Sequence, residues 1–390
     1  MRRALVLAAL ASLASSVAMA HPVRIGRYAE IPYGIRPDHP HPTAGGGPRR
    51  DGRIRGRVPL ERPERAWERA LPHRRPRGPT IANDTTLYFG TEQGLVALNA
   101  EGEERWTARL GSIPGAPSLT PSDDVAVVTR EGLVALVSPE GVVRRSTSLG
   151  APARGSPLVL DDGSVLVGTI DQRVHRLDAS LRPVFVTELS DGTASTLSRT
   201  RRGSLAVAAG RLLVLLTPRG SLARQVGLGG RATSPPAVGD DGMIWITTAE
   251  GVLLSVDEGG RVRSRTELGA RHYDEASVAI GHDGAVRVPT LSGGLVCVAG
   301  DGTPRWVMES PNGFQAPAAI DENDTTLVID RGGRLFAVDR DGAELWRLVL
   351  GTFSYESPVL GADGTLYVST ERGALQAWRP MPARPTPPPP

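Results

Sequence analysis

Two stretches of sequence decide the fold: residues 83–106, NDTTLYFGTEQGLVALNAEGEERW, and residues 323–346, NDTTLVIDRGGRLFAVDRDGAELW. Each has an alternating apolar segment, a turn, a second apolar segment, a glycine turn and a tryptophan. Related units begin at Thr86, Asp124, Ser164, Ser204, Met243, Ala285, Thr326 and Thr365. Because a fixed spacing of about 40 residues is the signature of a repeat architecture, the chain is first read as eight copies of one unit.

Each unit contains four segments that predict short β-strands. The second segment alternates with period two, which indicates a half-buried strand. Its apolar pair recurs in all eight units: Leu87/Phe89, Val125/Val127, Val165/Val167, Leu205/Val207, Ile244/Ile246, Val286/Val288, Leu327/Ile329 and Leu366/Val368. The 46 Gly and 33 Pro residues supply the turns and the strand starts. Four-stranded antiparallel units in such a series predict an all-β protein, an eight-bladed β-propeller over residues 65–379.

The ring needs a closing strand. The eighth unit ends after its third strand, at Trp378, so a fourth strand is missing there. The stretch around Trp67 has the spacing of that fourth strand, and we expect it to close the ring and remove an exposed edge. A short helix is the alternative, because Leu60, Trp67 and Leu71 roughly fit a helical period.

The two ends of the chain differ from the repeats in composition. Residues 1–20 have the charge, apolar run and small-residue ending of a signal peptide cleaved near Ala20, or of an uncut interfacial anchor. Residues 21–64 are basic and rich in Pro, Gly and His, which predicts a mostly disordered spacer, or else a segment that contacts an anionic cell surface or the acidic remainder of the molecule. Residues 380–390 form a Pro-rich tail. We expect a periplasmic or secreted monomer without an integral membrane segment.

Composition also narrows the chemistry. All 45 basic residues are arginines, which excludes a Schiff-base or P-loop lysine, and the single Cys297 excludes internal disulfides and Cys-rich metal sites. Small residues occupy the position of Cys297 in other units, so we interpret it as a packing residue. The Asp-rich segments 321–324 and 339–342 are interpreted as turns, not calcium sites. We therefore predict no catalytic residue, no metal, no cofactor and no nucleic-acid partner.

The repeat has a recognisable relative. The pattern of Ala97, Asn99, Gly102 and Trp106 resembles the tryptophan-docking repeat of the PQQ-like, quinoprotein-type β-propeller family. That resemblance implies that aromatic residues stack between blades: Trp67, Trp106, Phe185, Trp306 and Trp346. It also implies two functional branches. The dehydrogenase branch has a vicinal disulfide beneath the quinone, a calcium site and an aspartate base, whereas this chain with one cysteine is more similar to the non-catalytic, BamB-like branch.

The connections from the fourth strand of one blade to the first strand of the next are the candidate site, since loops on a rigid scaffold carry function. Three consecutive connections are rich in aromatic residues, and two earlier ones place arginines at the same channel mouth. The candidate partner-binding residues are Arg271, His272, Tyr273, Asp274, Asn312, Phe314, Gln315, Phe353, Tyr355, Glu356, Arg154 and Arg231.

Exposed aromatic and arginine side chains are enriched at binding hot spots. We expect these loops to bind an envelope or secreted protein or peptide. The alternatives are that the side chains only fill the channel mouth, that they bind a polysaccharide, or that the channel holds PQQ or another quinone with redox activity.

Overall fold

The structure, a computed structural model, describes residues 39–71, 75–191, 196–273 and 276–381. Within these ranges, thirty-two β-strands form eight antiparallel sheets of four strands. The first strand is β1 (Glu64–Ala70), and it belongs to the last blade. The predicted eight-bladed all-β propeller is confirmed.

The seven blades that are continuous in sequence have the following strands. Blade 1 has β2 (Arg77–Ile81), β3 (Leu87–Gly90), β4 (Gly94–Leu98) and β5 (Glu104–Arg109); blade 2 has β6 (Ser118–Leu119), β7 (Val125–Val128), β8 (Leu133–Val137) and β9 (Val143–Ser148). Blade 3 has β10 (Leu158–Val159), β11 (Val165–Thr169), β12 (Arg173–Leu177) and β13 (Pro183–Glu188); blade 4 has β14 (Ser198–Arg199), β15 (Leu205–Ala209), β16 (Leu212–Leu216) and β17 (Leu222–Gly227). Blade 5 has β18 (Ala237–Val238), β19 (Ile244–Thr247), β20 (Val252–Val256) and β21 (Val262–Glu267); blade 6 has β22 (Ala279–Ile280), β23 (Val286–Pro289), β24 (Leu295–Val298) and β25 (Pro304–Met308). Blade 7 has β26 (Ala319–Ile320), β27 (Thr326–Ile329), β28 (Arg334–Val338) and β29 (Glu344–Val349).

Blade 8 is built from both ends of the ring. Its strands β30 (Val359–Leu360), β31 (Leu366–Ser369) and β32 (Ala374–Arg379) pair in order, and β1 completes the sheet beside β32. Trp67 lies opposite Ala377 in this antiparallel pair. The predicted closure by an N-terminal strand is therefore confirmed, and the helical alternative for this stretch is wrong.

Aromatic rings connect neighbouring blades through glycine turns. The Trp106 ring lies over Gly141 of the next blade, and its Nε1 donates a hydrogen bond to Pro139 O at 2.8 Å. Two features require glycine at position 141. Its φ is +87°, and a Cβ there would come within 2.7 Å of the Trp106 ring. Trp67 lies over Gly102, Phe185 over Gly220 and Trp306 over Gly342 in the same way.

The structure of residues 39–58 differs from what the sequence predicts for the basic segment. The expectation of disorder for the basic segment 21–64 is wrong for residues 39–58, which are largely buried and hydrogen-bond to the inner strands. We call residues 39–58 the N-terminal plug. Its backbone hydrogen-bonds in turn to the innermost strands of six blades, at Ile81, Leu119, Arg199, Val238, Ile280 and Ile320.

Hydrogen bonding to the edges of the inner strands explains why the plug has a defined structure. The innermost strand of each blade presents unpaired backbone groups toward the channel, and the plug satisfies several of them. Ile54 and Val58 add apolar burial in a core cluster with Leu327, Trp346 and Leu360. Asp321 accepts a hydrogen bond from Val58 N at 2.8 Å with one carboxylate oxygen and binds the Asn323 and Thr325 amides with the other. These contacts hold the plug across the channel at the end where the first strands of six blades turn into the second strands.

Candidate functional site

The opposite end of the channel holds a cavity of about 380 Å³, which we call the central cup. Its floor is formed by plug residues that include His41, Gly45 and Arg50. Its walls come from the segments that enter the first strand of every blade, so the eight blades and the plug build it together. Only the assembled ring brings these segments, which lie far apart in sequence, around one space.

Six of the predicted site residues line the central cup: Arg154, Arg231, Tyr273, Gln315, Tyr355 and Glu356. The Tyr273 and Tyr355 rings contact each other with centroids 6.1 Å apart, and Phe353 packs edge-on against Tyr355 at 5.3 Å. Arg154 and Arg231 are exposed at the mouth, whereas the tyrosines are half-buried. Of the predicted aromatic residues, the structure thus brings Tyr273, Phe353 and Tyr355 into mutual contact at the mouth.

Other predicted residues have different surroundings. Phe314 is fully buried and packs in a T-shaped arrangement against Phe336, with ring centroids 6.1 Å apart, so the expectation of an exposed anchor there is wrong. His272 is also buried, and its Nδ1 lies 3.1 Å from Thr247 Oγ1. Asn312 donates a hydrogen bond to Asp330 at 3.2 Å, which fixes a turn.

Arg271 is not among the residues that line the cup. Arg271 is exposed, and its backbone carbonyl accepts a hydrogen bond from Leu291 N at 2.8 Å. Asp274 lies outside the described residues, as does Glu275.

Sequence reasoning missed two arginines of the mouth. Arg77 forms an ion pair with Glu356 at 3.2 Å, and Arg75 lies over the Tyr355 ring at 5.2 Å. A signal for Arg77 was present in the sequence: like Arg154 and Arg231, it stands two to five residues before a proline that lies in or directly before the first strand of its blade (Pro79, Pro157 and Pro236). Arg77 follows the basic segment directly, and that whole segment was interpreted from its composition, so this arginine was not considered separately.

The floor of the central cup contains a buried cation. Arg50 is 1% exposed, and its guanidinium donates hydrogen bonds to the carbonyls of Leu197, Ala44, Ser156 and Pro157. Burial lowers the pKa of Arg50 to about 9, so the side chain is charged at neutral pH. Among the described residues, no carboxylate forms a hydrogen bond or ion pair with it. The lining thus holds five arginines and, in the described part of the chain, one acid, Glu356.

Two polar atoms in the lining have unused hydrogen-bonding capacity. Gln315 is 7% exposed, and its Nε2 donor has no acceptor within the described structure. His41 is 3% exposed, and no described residue bonds to its Nδ1. Burial, and then the charge of Arg55, lower the pKa of His41 to about 4, so this imidazole is neutral at pH 7. Buried polar groups normally have partners, which makes both atoms candidates for ligand contacts.

The cup does not fit the quinone and calcium chemistry of the dehydrogenase branch. Cys297 lies within β24 and is fully buried outside the lining, and burial raises the pKa of its thiol to about 11. The described residues contain no group of three or more His, Cys, Asp or Glu side chains placed to hold a metal ion. Nor does the described part of the chain contain a helix long and apolar enough to cross a membrane.

Comparisons with known proteins agree with this architecture. The family model described as "Outer membrane protein assembly factor BamB" matches residues 92–233 and 292–380, more than half of the chain. No match was found among curated proteins. BamB from Moraxella catarrhalis is similar in structure, with a TM-score of 0.66 and 17% identity over 82% of this chain and 98% of that one.

Quinoprotein enzymes have the same fold. The quinohemoprotein alcohol dehydrogenase from Comamonas testosteroni superposes with a TM-score of 0.74 and 13% identity, over 86% of this chain and 80% of that one. At these identities the likeness to solved structures concerns the fold, which scaffolds and dehydrogenases share. On the family match and the eight docked blades together, the chain belongs to the PQQ-like β-propeller family that the BamB model describes.

Proposed function

We propose that this protein is a non-catalytic scaffold, exported to the cell envelope, that binds a protein or peptide partner at the open end of its channel. The observation that carries the proposal is the central cup itself. Aromatic residues Tyr273 and Tyr355 and arginines from separate blades meet at one mouth, on a rigid ring. Tyrosine and arginine are the residue types enriched in protein-binding hot spots.

Four further points support a scaffold in the envelope. The signal-peptide pattern of residues 1–20 favours export, and the BamB family match favours a role in the envelope. The buried Cys297 and the composition of the cup give no support to a quinone dehydrogenase. A sealed channel floor also favours binding of a protruding segment at the mouth over passage through the ring.

Site-specific photocrosslinking in cells tests the proposal. A photoreactive phenylalanine analogue replaces Tyr273 in one variant and Val143, which is 41% exposed on β9 of blade 2, in the control. We expect a discrete protein adduct from position 273 in the envelope fraction and none from position 143. Equal adducts from both positions, or none from position 273, would contradict the proposal.

A further inference from the structure

We propose that the central cup binds an acidic segment of the partner, with Asp or Glu carboxylates entering the mouth and approaching its floor. This inference rests on the proposed function and names the chemistry of the partner. Three features of the cup support it, and they belong to different elements of the fold: the charge of the mouth, the charge of the floor and the unused donor on the wall.

The charge of the lining selects an anion. Arg75, Arg77, Arg154 and Arg231 surround the mouth, and the acid among the described lining residues, Glu356, is already paired with Arg77 at 3.2 Å. A concave site lined by charges of one sign focuses the field and raises the local concentration of the opposite charge. Guanidinium groups also match the planar geometry of a carboxylate. The mouth is therefore complementary to several carboxylates on one segment.

The floor adds a charge that the described structure does not neutralise with a carboxylate. Arg50 is held by four backbone carbonyls, which satisfy donors but supply only partial negative charge. An anion in the cup would interact with this cation in a region shielded from water, where electrostatic interactions are stronger than at the surface. The floor therefore favours a negative group within the cup as well as at its mouth.

The wall supplies a donor of the right kind. Gln315 is more than nine-tenths buried, lines the cup and has an Nε2 without an acceptor in the described part of the molecule. A carboxylate oxygen is an acceptor with unused lone pairs, and it would satisfy this atom. The half-buried Tyr273 and Tyr355 rings of the same lining offer apolar surface to the carbon atoms of a peptide. A peptide that carries carboxylates fits this combination better than a small inorganic anion.

Fluorescence anisotropy with a labelled hexaglutamate peptide tests the inference on the purified full chain. We expect saturable binding that weakens as NaCl rises from about 50 to about 500 mM, because salt screens exposed charges. Hexaglutamine of the same length should not bind. Binding of both peptides with similar affinity would overturn the inference, because the charge of the lining would then play no role.

Matched variants locate the binding. Arg154→Ala with Arg231→Ala should raise the dissociation constant at least about tenfold, since two charge-assisted contacts to the peptide are lost. Gln315→Leu should raise it about threefold to tenfold while the exposed arginines remain. The control removes the same total charge from exposed positions on outer strands, Arg109→Ala with Arg145→Ala, and should leave binding within about twofold. Equal weakening by the control pair would overturn the inference, as would unchanged binding in both cup variants.

Competition identifies the source of the anion. Inorganic phosphate that displaces hexaglutamate at equal concentration would overturn the peptide assignment in favour of a small-anion site. Polygalacturonate binding that depends on Arg154 and Arg231, without hexaglutamate binding, would overturn it in favour of an acidic polysaccharide. If position 273 crosslinks a protein in cells but hexaglutamate does not bind, this inference fails and the proposed scaffold function stands. If hexaglutamate binds but no crosslink forms, the proposed function fails on its own.

Discussion

The two ends of the central channel are built from the same eight blades but have opposite character. At one end the N-terminal plug hydrogen-bonds to the inner strands and buries Ile54 and Val58. At the other end the central cup leaves Gln315 Nε2 without a described partner and places Arg154 and Arg231 at the surface. Satisfied backbone groups and apolar burial stabilise a fold, whereas unsatisfied donors and clustered like charges cost stability and favour ligand binding. The plugged end therefore stabilises the ring, and the open end is available for recognition.

Removal of the plug should have the largest effect. A chain that begins at Pro59 loses the burial of Ile54 and Val58, about 1.5–3 kcal/mol each, and exposes the inner-strand edges. We expect the free energy of unfolding to fall by at least about 5 kcal/mol, measured by urea denaturation against the chain that begins at His21. A synthetic peptide of residues 39–58 added in trans should restore part of the loss. Identical urea midpoints for the two chains would show that the plug does not stabilise the ring.

Replacing one arginine in the plug and one at the open end of the channel should separate the stabilising end from the binding end. Arg50→Met leaves four backbone carbonyls in the channel without their charged donor, and we expect a loss of about 3–5 kcal/mol. Arg154→Met removes an exposed side chain at the open end and should change stability by less than about 0.5 kcal/mol. Chemical denaturation measures both. A similar loss in the two variants would remove the distinction between the ends.

The pH dependence of stability should reveal His41 in the plug. Its pKa is about 4 in the folded protein and 6.5 when unfolded, so the unfolded state takes up the proton first as pH falls. Its contribution to stability should be complete above pH 6.5 and should decline by up to about 3 kcal/mol by pH 4. The difference between wild type and His41→Gln, measured by denaturation from pH 7 to pH 4, isolates this group from other titrations. A difference that stays constant with pH would contradict a buried neutral His41.

The smallest expected effect is a gain in stability, whereas removal of the plug and Arg50→Met should lower stability. Gln315→Leu removes a buried donor that lacks a described acceptor, and we expect stability to rise by about 1 kcal/mol. The matched control is Gln376→Leu: Gln376 is 1% exposed and donates to Leu350 O at 3.0 Å, so its loss should lower stability by about 1–3 kcal/mol. Thermal denaturation compares them. Destabilisation of similar size in both variants would mean that the Gln315 amide already has a partner.

The ring was predictable from sequence because its determinants are local. Alternation at Leu327 and Ile329 predicts the strand Thr326–Ile329, although all four of its residues are buried and not only one face, and the spacing of Trp67 predicts the closing strand. The plug was not predictable in this way, because its hydrogen bonds are to edges that exist only after eight blades have closed. Composition therefore suggested disorder where tertiary structure supplies order.

The candidate site was predictable in part for the same reason. The connections that hold Tyr273 and Tyr355 were recognised by residue type, and the ring brings these two rings into contact. Phe314 was misjudged, since its connection turns the ring inward against Phe336, and sequence alone does not give that direction. Arg50 was missed because it lies on a segment whose neighbours in space are about 100 to 150 residues away in sequence.

Hydrogen–deuterium exchange of the full chain, with and without hexaglutamate, tests the difference between the two ends most directly. The inner-strand amides that donate to plug carbonyls are those of Ile81, Leu119, Arg199, Val238, Ile280 and Ile320. We predict that these amides exchange slowly in both conditions, whereas segments 154–156, 231–235 and 315–318 around the cup gain protection only with the peptide. Fast exchange at the plug contacts, or peptide-dependent protection there instead of at the cup, would contradict a channel that is sealed at one end and binds at the other.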